Sequence, residues 1–203
     1  MIGMKAQKGF TLLELMVTVS IVGIVLSLAA PSARDMINNA EASASFRNIS
    51  SALSLARSEA VNRQGTVAVC PTTNRTTCST NWSEGFIVFR DVSENGSIDA
   101  GDAIIRVFDA LGAGLTLTRS MTDGSPTRTY VRYGESAMLL STADAGNFVV
   151  CDSRGATQAK AIVINATGQL RHATDTNNDG HGIVDIAVTN GAGNIEAQDA
   201  TCP

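Results

Sequence analysis

Proline, aromatic residues and charge are all scarce in this sequence. Among 203 residues there are 4 prolines, the aromatic share is 4%, and charged residues make up 17%. With 44% hydrophobic residues, a mean hydropathy of +0.10 and no glycine period, the composition excludes a disordered or collagen-like chain. The formal net charge of −4 excludes the general basic character of proteins that bind nucleic acid or anionic membranes. The length suits one domain, or one domain with an appendage.

Catalytic motifs are absent as well. The sequence contains no G-x-S-x-G elbow, H-E-x-x-H zinc motif, phosphate-binding loop or dinucleotide glycine motif. The 2 histidines, His172 and His181, flank a polar loop that fixes no metal geometry, so we expect both to be exposed. We therefore predict that the protein is not an enzyme and has no cofactor, with calcium as an alternative at acidic loops.

One long apolar run is present near the N-terminus. Residues 10–30 contain a single charge, Glu14. A helix of this length spans about 31 Å, which matches the hydrocarbon core of a bilayer, about 30 Å. Because Lys5 and Lys8 precede the run, the first nine residues are expected in the cytoplasm and the rest across the membrane. The run is consistent with a cleaved secretory signal, with a plain membrane anchor, or with an anchor in which Glu14 has a specific role.

Glu14 is the residue that separates these interpretations. A carboxylate in an apolar span costs about 2.5–3.5 kcal/mol on insertion scales and normally has a partner. Nothing else in the run supplies one, but cleavage between Gly9 and Phe10 would free an α-amino group four residues before Glu14. An amine from a neighbouring copy would neutralise the carboxylate, so the cost of insertion would become a signal for assembly.

The residues around Glu14 resemble the type IV prepilin signature, in the segment Lys8–Leu15 (KGFTLLEL). The resemblance implies that a prepilin peptidase cuts after Gly9 and methylates the new N-terminal Phe10, giving N-methylphenylalanine. Glu14 then matches the family's acidic residue at mature position 5, and Pro31 its proline at position 22. The implied leader is residues 1–9, followed by a transmembrane and fibre-core helix over 10–30.

The helical pattern continues beyond Pro31. Phe46, Ile49 and Leu53, followed by Ala56 and Ala60, recur at steps of three and four and form one apolar stripe. Pro31 is expected to bend the helix without ending it, because it removes one backbone hydrogen bond. We predict that residues 31–64 form the amphipathic half of a long helix, which packs on a head of residues 65–203.

The head sequence is rich in short β-prone runs separated by glycine, asparagine and aspartate. One helix followed by many strands predicts an α+β fold in which the amphipathic half covers an antiparallel sheet. The predicted strands are Thr66–Cys70, Gly85–Arg90, Ile104–Phe108, Leu115–Arg119, Thr129–Tyr133, Asn147–Cys151, Ala161–Asn165 and Ile183–Val188.

The 4 cysteines are Cys70, Cys78, Cys151 and Cys202. All follow the membrane segment and therefore lie on the oxidising side, where an even number predicts disulfides. Three pairings are possible, and we expect Cys70–Cys78, which closes a short loop, with Cys151–Cys202, which ties the C-terminus to a strand. A zinc site is the alternative, but CxxC spacing is missing and histidine is scarce.

The head resembles the GspH/FimT-type minor pilins and pseudopilins. The matching stretches are Cys70-Pro71 with Cys78, residues 82–89, 148–152 and 162–165, and the final cysteine. The resemblance implies a structural minor pilin that primes or joins a type IV pilus, or alternatively a minor pseudopilin of a type II secretion system. Implied partners are the prepilin peptidase and other minor and major pilins or pseudopilins. The implied location is the bacterial inner membrane, single-pass with a periplasmic head, and then the fibre.

Two acidic loops have part of the calcium-binding EF-hand spacing. In residues 91–102 an aspartate replaces the closing glutamate and the flanks look like strands; in the loop from residue 175 the closing position is Ile186. We interpret both loops as solvated turns and keep calcium as the alternative. The oxygen ligands concerned are Asp91, Ser93, Asn95, Asp99 and Asp102 in the first loop, and Asp175, Asn177 and Asp179 in the second.

A DNA receptor is the second alternative, because some FimT-like minor pilins take up DNA through a basic G-R-x-R motif near the C-terminus. Here residues 168–171 read GQLR, so the first arginine is missing, and no lysine or arginine follows Arg171. Removing residues 1–9 leaves 13 basic and 19 acidic residues, a net charge of −6. Phosphate binding would need Arg154, Lys160 and Arg171 to converge. We therefore expect no DNA partner.

Overall fold

The computed structural model describes residues 9–121, 128–175, 183–189 and 195–203. The chain divides into two compact units, Met1–Ala40 and Glu41–Pro203. The described residues form one α-helix, α1, Leu12–Arg63, and ten strands. The strands are β1 Val67–Pro71, β2 Phe86–Arg90, β3 Ala103–Phe108, β4 Thr116–Met121, β5 Val131–Tyr133, β6 Gly146–Cys151, β7 Lys160–Ile164, β8 Leu170–His172, β9 Asp185–Thr189 and β10 Ile195–Asp199.

The first unit contains the apolar part of α1. The helix begins just after Thr11, whose side-chain oxygen accepts a hydrogen bond from the Glu14 backbone N–H at 3.2 Å and so caps the first turn. It continues through Pro31 without interruption, as expected. An 18-residue window of α1 has a mean hydropathy of 2.3 and is not buried anywhere within the chain. By length and composition this helix is able to cross a membrane.

In the second unit, the later turns of α1 bury the predicted apolar stripe. Ile49, Leu53, Ala56 and Ala60 are fully buried, and Phe46 is half-buried against the same core. Ala42 and Ala52, which the stripe did not include, are buried as well. Small alanine side chains along this face let the helix backbone approach the strands closely, so the helix packs directly on the sheets.

The strands form two antiparallel four-stranded sheets and a separate hairpin. Sheet 1 has the order β3-β2-β1-β5, sheet 2 the order β4-β6-β7-β8, and β9 pairs with β10. Each of the predicted strands overlaps an observed one, whereas β8 and β10 were not predicted. The predicted α+β fold, with the helix packed on an antiparallel β-rich head, is confirmed. The helix faces residues from two sheets, where one was expected.

Both sheets are covered on both faces, which explains why their central strands are buried without alternation. On one face of sheet 1, Val67 and Val69 pack with α1; on the other, Ala68 and Cys70 form a second cluster with Ile98 of the 91–102 loop. In sheet 2 the inner face joins α1 and the outer face packs with the β9–β10 hairpin. The sequence of a strand that is buried on both faces is apolar at consecutive positions.

Candidate assembly site and head loops

The predicted cleavage position lies just outside the helix. Gly9 and Phe10 precede the first helical turn and are exposed, with Phe10 83% accessible. A side chain built on Gly9 would meet no other atom within 4 Å. The Gly9–Phe10 bond is thus accessible to a protease active site, which binds its substrate in extended form.

Glu14 lies in the first turn of α1, on an exposed apolar surface. Within the parts of the chain that the structure describes, no salt bridge to its carboxylate is formed. The positive end of the helix dipole is a favourable charge beside Glu14, and it is worth less than about 1 kcal/mol at an exposed site. When lipid or other helices cover this surface, the carboxylate needs a cation close to it.

In the 91–102 loop, the carboxylates bind donors of the loop itself. Asp91 is 1% exposed, and its two oxygens accept hydrogen bonds from the backbone N–H groups of Gly96, at 2.8 Å, and Asn95, at 3.2 Å. Asp102 accepts from the Val92 N–H at 2.8 Å. Burial raises the pKa of the Asp91 carboxyl above its usual value and the Asp102 charge raises it further, while the backbone hydrogen bonds oppose the rise.

The remaining oxygen ligands of the calcium alternative in this loop are Ser93, Asn95 and Asp99, which hydrogen-bond to one another. Asp99 accepts hydrogen bonds from the Ser93 hydroxyl at 3.1 Å and the Asn95 amide at 2.6 Å. Over the described ranges, no group of three or more His, Cys, Asp or Glu side chains is arranged to hold a metal ion. In the second predicted loop, Asp175 is half-buried, whereas Asn177, Asp179 and His181 lie outside the described residues.

The 91–102 loop is fastened to the outer face of sheet 1. Gly96 has a φ of +77° and lies against the Tyr130 ring, and the Arg132 guanidinium donates to the Glu94 carbonyl oxygen. The Thr66 hydroxyl donates to the Glu94 carboxylate at 2.7 Å. These contacts join the loop to residues that are distant in the sequence, so they hold the loop in one position on the surface of the head.

Replacing Gly96 with alanine is expected to destabilise the head. A Cβ atom there would lie 2.4 Å from the Tyr130 ring, in a conformation that L residues rarely adopt. We expect a loss of about 1–2 kcal/mol from the backbone and about 1–3 kcal/mol from overpacking. Gly101→Ala is the control, since it has a φ of +102° and no atom within 4 Å. Denaturant unfolding of the full-length protein in detergent measures both, and equal losses would contradict the predicted clash.

A cluster of three arginines around the buried Asp144 links the two sheets, and no sequence motif predicted it. Asp144 is 0% exposed, and its carboxylate lies 3.0 Å from Arg132 Nε of β5 and 3.3 Å from Arg128 Nη1. Arg119 of β4 donates to the Asp144 carbonyl oxygen at 2.8 Å. Burial lowers the pKa of Arg119 to about 10, against the attraction of Asp144, so this arginine stays charged at neutral pH.

The sequence does carry one signal of this cluster. Leu117, Arg119 and Met121 occupy the buried positions of the alternating strand β4, so an arginine stands where the pattern requires an apolar residue. A buried arginine needs a carboxylate or several carbonyl groups around it. Which carboxylate lies there depends on the fold, because Asp144 is 25 positions away in the chain.

The three cations considered for DNA binding do not meet. Arg154 pairs with Asp152 at 2.5 Å, and this hydrogen bond holds the pKa of the Asp152 carboxyl below its usual value. Lys160 lies two residues from Ile162, on the sheet face that packs on α1, whereas Arg171 pairs with Val163 on the opposite face. The cluster of cations that phosphate binding requires is thus not formed by these residues.

Both disulfides have the expected pairing. Cys70 is bonded to Cys78, with a Cα–Cα distance of 5.6 Å, and Cys151 to Cys202, at 5.8 Å. The first closes the loop that follows β1. The second ties the C-terminal residues to β6, 51 positions earlier in the chain. All 4 cysteines are therefore used in disulfides, which excludes the zinc alternative.

Comparison with known proteins identifies the family. Residues 45–168, more than half of the chain, match the family described as "Type II transport protein GspH". The chain belongs to the GspH family. Residues 4–30 match the prokaryotic N-terminal methylation motif, which covers Gly9, Phe10 and Glu14. The GspH-family region of this protein is thus preceded by an N-terminal methylation motif.

Curated relatives match a short part of this GspH-family chain. It is 49% identical over 43 residues to a fimbrial protein of Moraxella nonliquefaciens, covering 21% of this chain and 28% of that protein. It is 59% identical over 32 residues to a fimbrial protein of Pseudomonas aeruginosa, covering 16% of this chain and 21% of that protein. The chain thus spans less than a third of the length of these relatives.

Solved structures are similar over about two thirds of the chain. The type IV minor pilin FimU of Pseudomonas aeruginosa strain PAO1 has a TM-score of 0.52 at 19% identity, covering 66% of this chain and 90% of that one. The minor pseudopilin EpsH of the Vibrio cholerae Type 2 Secretion System has a TM-score of 0.45 at 14% identity, covering 65% and 95%. The likeness to FimU shows the pilin fold, a long helix packed on antiparallel sheets with two disulfides in this chain.

Proposed function

We propose that this protein is a structural minor pilin of a type IV pilus. Prepilin peptidase cuts between Gly9 and Phe10 and methylates the new N-terminus, and the apolar part of α1 anchors the protein in the bacterial inner membrane with the head in the periplasm. During assembly this helix leaves the membrane for the fibre core, where the protein joins or primes the pilus. The observation that supports the proposal is Glu14, an acid in the first turn of an exposed apolar helix. In the proposed fibre, the α-amino group of a neighbouring subunit supplies its cation.

A pseudopilus of a type II secretion system is the second candidate, and the description of the matched family favours it. Both systems use an N-terminal helix that is processed in the same way. The experiment therefore has to distinguish a surface pilus from a secretion pseudopilus. DNA uptake is not part of the proposal, because Lys160 and Arg171 lie on opposite faces of sheet 2. Calcium is not part of it either, since Asp91, Asp99 and Asp102 accept hydrogen bonds from their own loop.

We expect protein recovered from sheared surface fibres to begin at N-methylated Phe10 in mass spectrometry. Gly9→Val places a branched side chain beside the scissile bond, so the leader is expected to be retained and the protein to be missing from fibres. Gly23→Val is the control, because Gly23 is exposed within α1 with no atom within 4 Å of a new Cβ; its leader is expected to be removed normally.

Two results would contradict the proposal. An N-terminus at Met1, or one beyond Leu28, in the native product would show that prepilin processing does not occur. Processed protein that is missing from surface fibres, in cells that lose protein secretion when the gene is deleted, would assign the chain to a secretion pseudopilus.

A further inference from the structure

A groove on the second unit is lined by three basic side chains. Arg47 of α1, Lys160 at the start of β7 and His172 at the end of β8 line a cavity of about 390 Å³, together with Ser43 and Phe46. We call this site the basic groove. The His172 ring stands edge-on to Phe46, with the ring centroids 4.9 Å apart, so the imidazole has a defined position on the wall of the groove.

Within the described part of the chain, no carboxylate lines the basic groove to compensate its positive charge. On α1, the positions three and four residues from Arg47 are occupied by alanine and serine, so no helical ion pair is available to it. Lys160 lies opposite Val150 in the pairing of β6 with β7. The chain has 19 acidic and 15 basic residues, so a cation placed at random would have acidic neighbours more often than basic ones. A cavity lined by basic side chains without a carboxylate is therefore unusual in this chain.

The size and place of the groove favour a protein segment over nucleic acid. A duplex needs cations spread over several successive phosphates, whereas the cations Arg47 and Lys160 line one small cavity. Residue 43 follows the apolar segment by 13 positions. A bundle of such segments from several subunits brings together the head surfaces that follow them most closely in sequence. The occupant expected there is part of an adjacent subunit, and its carboxylates would complement the charge.

We propose that the basic groove binds a carboxylate-bearing segment of a neighbouring pilin subunit. The Arg47 and Lys160 cations pair with the carboxylate, and the Phe46–His172 wall contacts the aliphatic part of the acidic side chain. The groove thereby sets the register of the head on its neighbour, whereas the apolar helices alone are able to slide along one another. This inference rests on the proposed function, because it names one contact within the assembled fibre.

Charge reversal in the full-length protein tests the proposal in cells. Arg47→Glu/Lys160→Glu is expected to reduce the protein in sheared fibres at least about fivefold, since like charges across an interface repel. The matched control is Arg90→Glu/Arg106→Glu, which reverses two exposed arginines of sheet 1 and is expected to leave fibre content unchanged. Membrane level, N-terminal processing and unfolding temperature of the purified proteins are measured alongside, so that a folding defect is recognised.

The outcomes separate this inference from the proposed function. If the wild-type protein is absent from fibres, the pilin assignment fails. If the wild-type protein and the groove variant enter fibres equally, the pilin assignment stands and the groove proposal is overturned. Equal losses for the groove variant and the sheet 1 control would also overturn it, because the effect would then follow net charge alone.

A binding measurement distinguishes the chemistry of the occupant. Full-length protein in detergent is titrated with an oligoglutamate peptide and with a short DNA duplex at about 0.15 M salt. We expect peptide binding that Arg47→Gln/Lys160→Gln abolishes and that Arg90→Gln/Arg106→Gln retains. Absent peptide binding, equal peptide binding by both variants, or tighter duplex binding that is lost in the groove variant would overturn the proposal.

Discussion

Replacement of Glu14 by alanine is expected to leave leader cleavage and membrane insertion intact and to remove the protein from fibres. The alanine side chain is cheaper to place in lipid than a carboxylate. In the fibre, however, it leaves the amine of an adjacent subunit buried without a partner. Removing one member of a buried ion pair costs about 3–5 kcal/mol, which corresponds to a fall of more than about a hundredfold in incorporation. Immunoblots of sheared fibres and membrane fractions measure the two pools.

Ser20→Ala is the matched control for this experiment. Ser20 lies in the same apolar segment, but its hydroxyl donates to the Met16 carbonyl oxygen at 2.7 Å and is satisfied within its own helix. Its removal is therefore expected to leave incorporation unchanged. Normal incorporation of Glu14→Ala would refute the pairing of Glu14 with a neighbouring amine, and equal loss in both variants would point to general helix packing.

Substitution of Asp144 by asparagine is expected to cause a large loss of stability in the head. The carboxylate is fully buried and is the acid to which both Arg128 and Arg132 bind. Without its charge, the guanidinium groups of Arg119 and Arg132 remain in the interior, and they repel each other and the partly exposed Arg128. We expect a decrease of about 3–5 kcal/mol in the free energy of unfolding, the usual cost of breaking a buried ion pair.

Asp109→Asn provides the comparison for Asp144, because it removes an acid from an exposed ion pair. Asp109 and Arg75 lie 2.5 Å apart, with side chains 78% and 67% exposed. Surface pairs of this kind contribute about 0–1 kcal/mol. Denaturant unfolding of both variants, monitored by near-UV circular dichroism, measures the difference in their free energies of unfolding. Equal losses would show that the Asp144 cluster is not a structural link between the sheets.

Some features of the protein were predictable because they depend on neighbouring residues. The amphipathic part of α1 follows from apolar positions at helical spacing, and Ile49 and Leu53 are indeed fully buried. The predicted strands were found because β-prone runs stand between turn residues. The strand β8 was missed because its sequence, Leu-Arg-His, is short and two-thirds polar. The strand β10 was missed because Ile-Glu-Ala-Gln-Asp has few β-forming residues and pairs only with β9.

For the candidate sites as well, the sequence indicated local spacing, whereas the fold decided which distant residues meet. The sequence of residues 91–102 has part of the spacing of a calcium-binding loop. In the structure, however, the Asp91 carboxylate accepts a hydrogen bond from the Gly96 backbone N–H. The separation of Lys160 from Arg171 depends on strand register, since a shift by one residue would place both on one face. The basic groove was not predicted, because its cations come from a helix and a strand that are far apart in the sequence.

The sequence by itself determined the membrane segment, its single acid, the processing signature and the family. Each of these depends on residues within a few positions of one another, so hydrophobic periodicity, local charge and motif spacing are sufficient to recognise them. The tertiary structure alone decided the division into two sheets, the arginine cluster around Asp144 and the meeting of Arg47 with Lys160 and His172. Such contacts join residues that are far apart in the chain, and strand register and helix packing determine which of them meet.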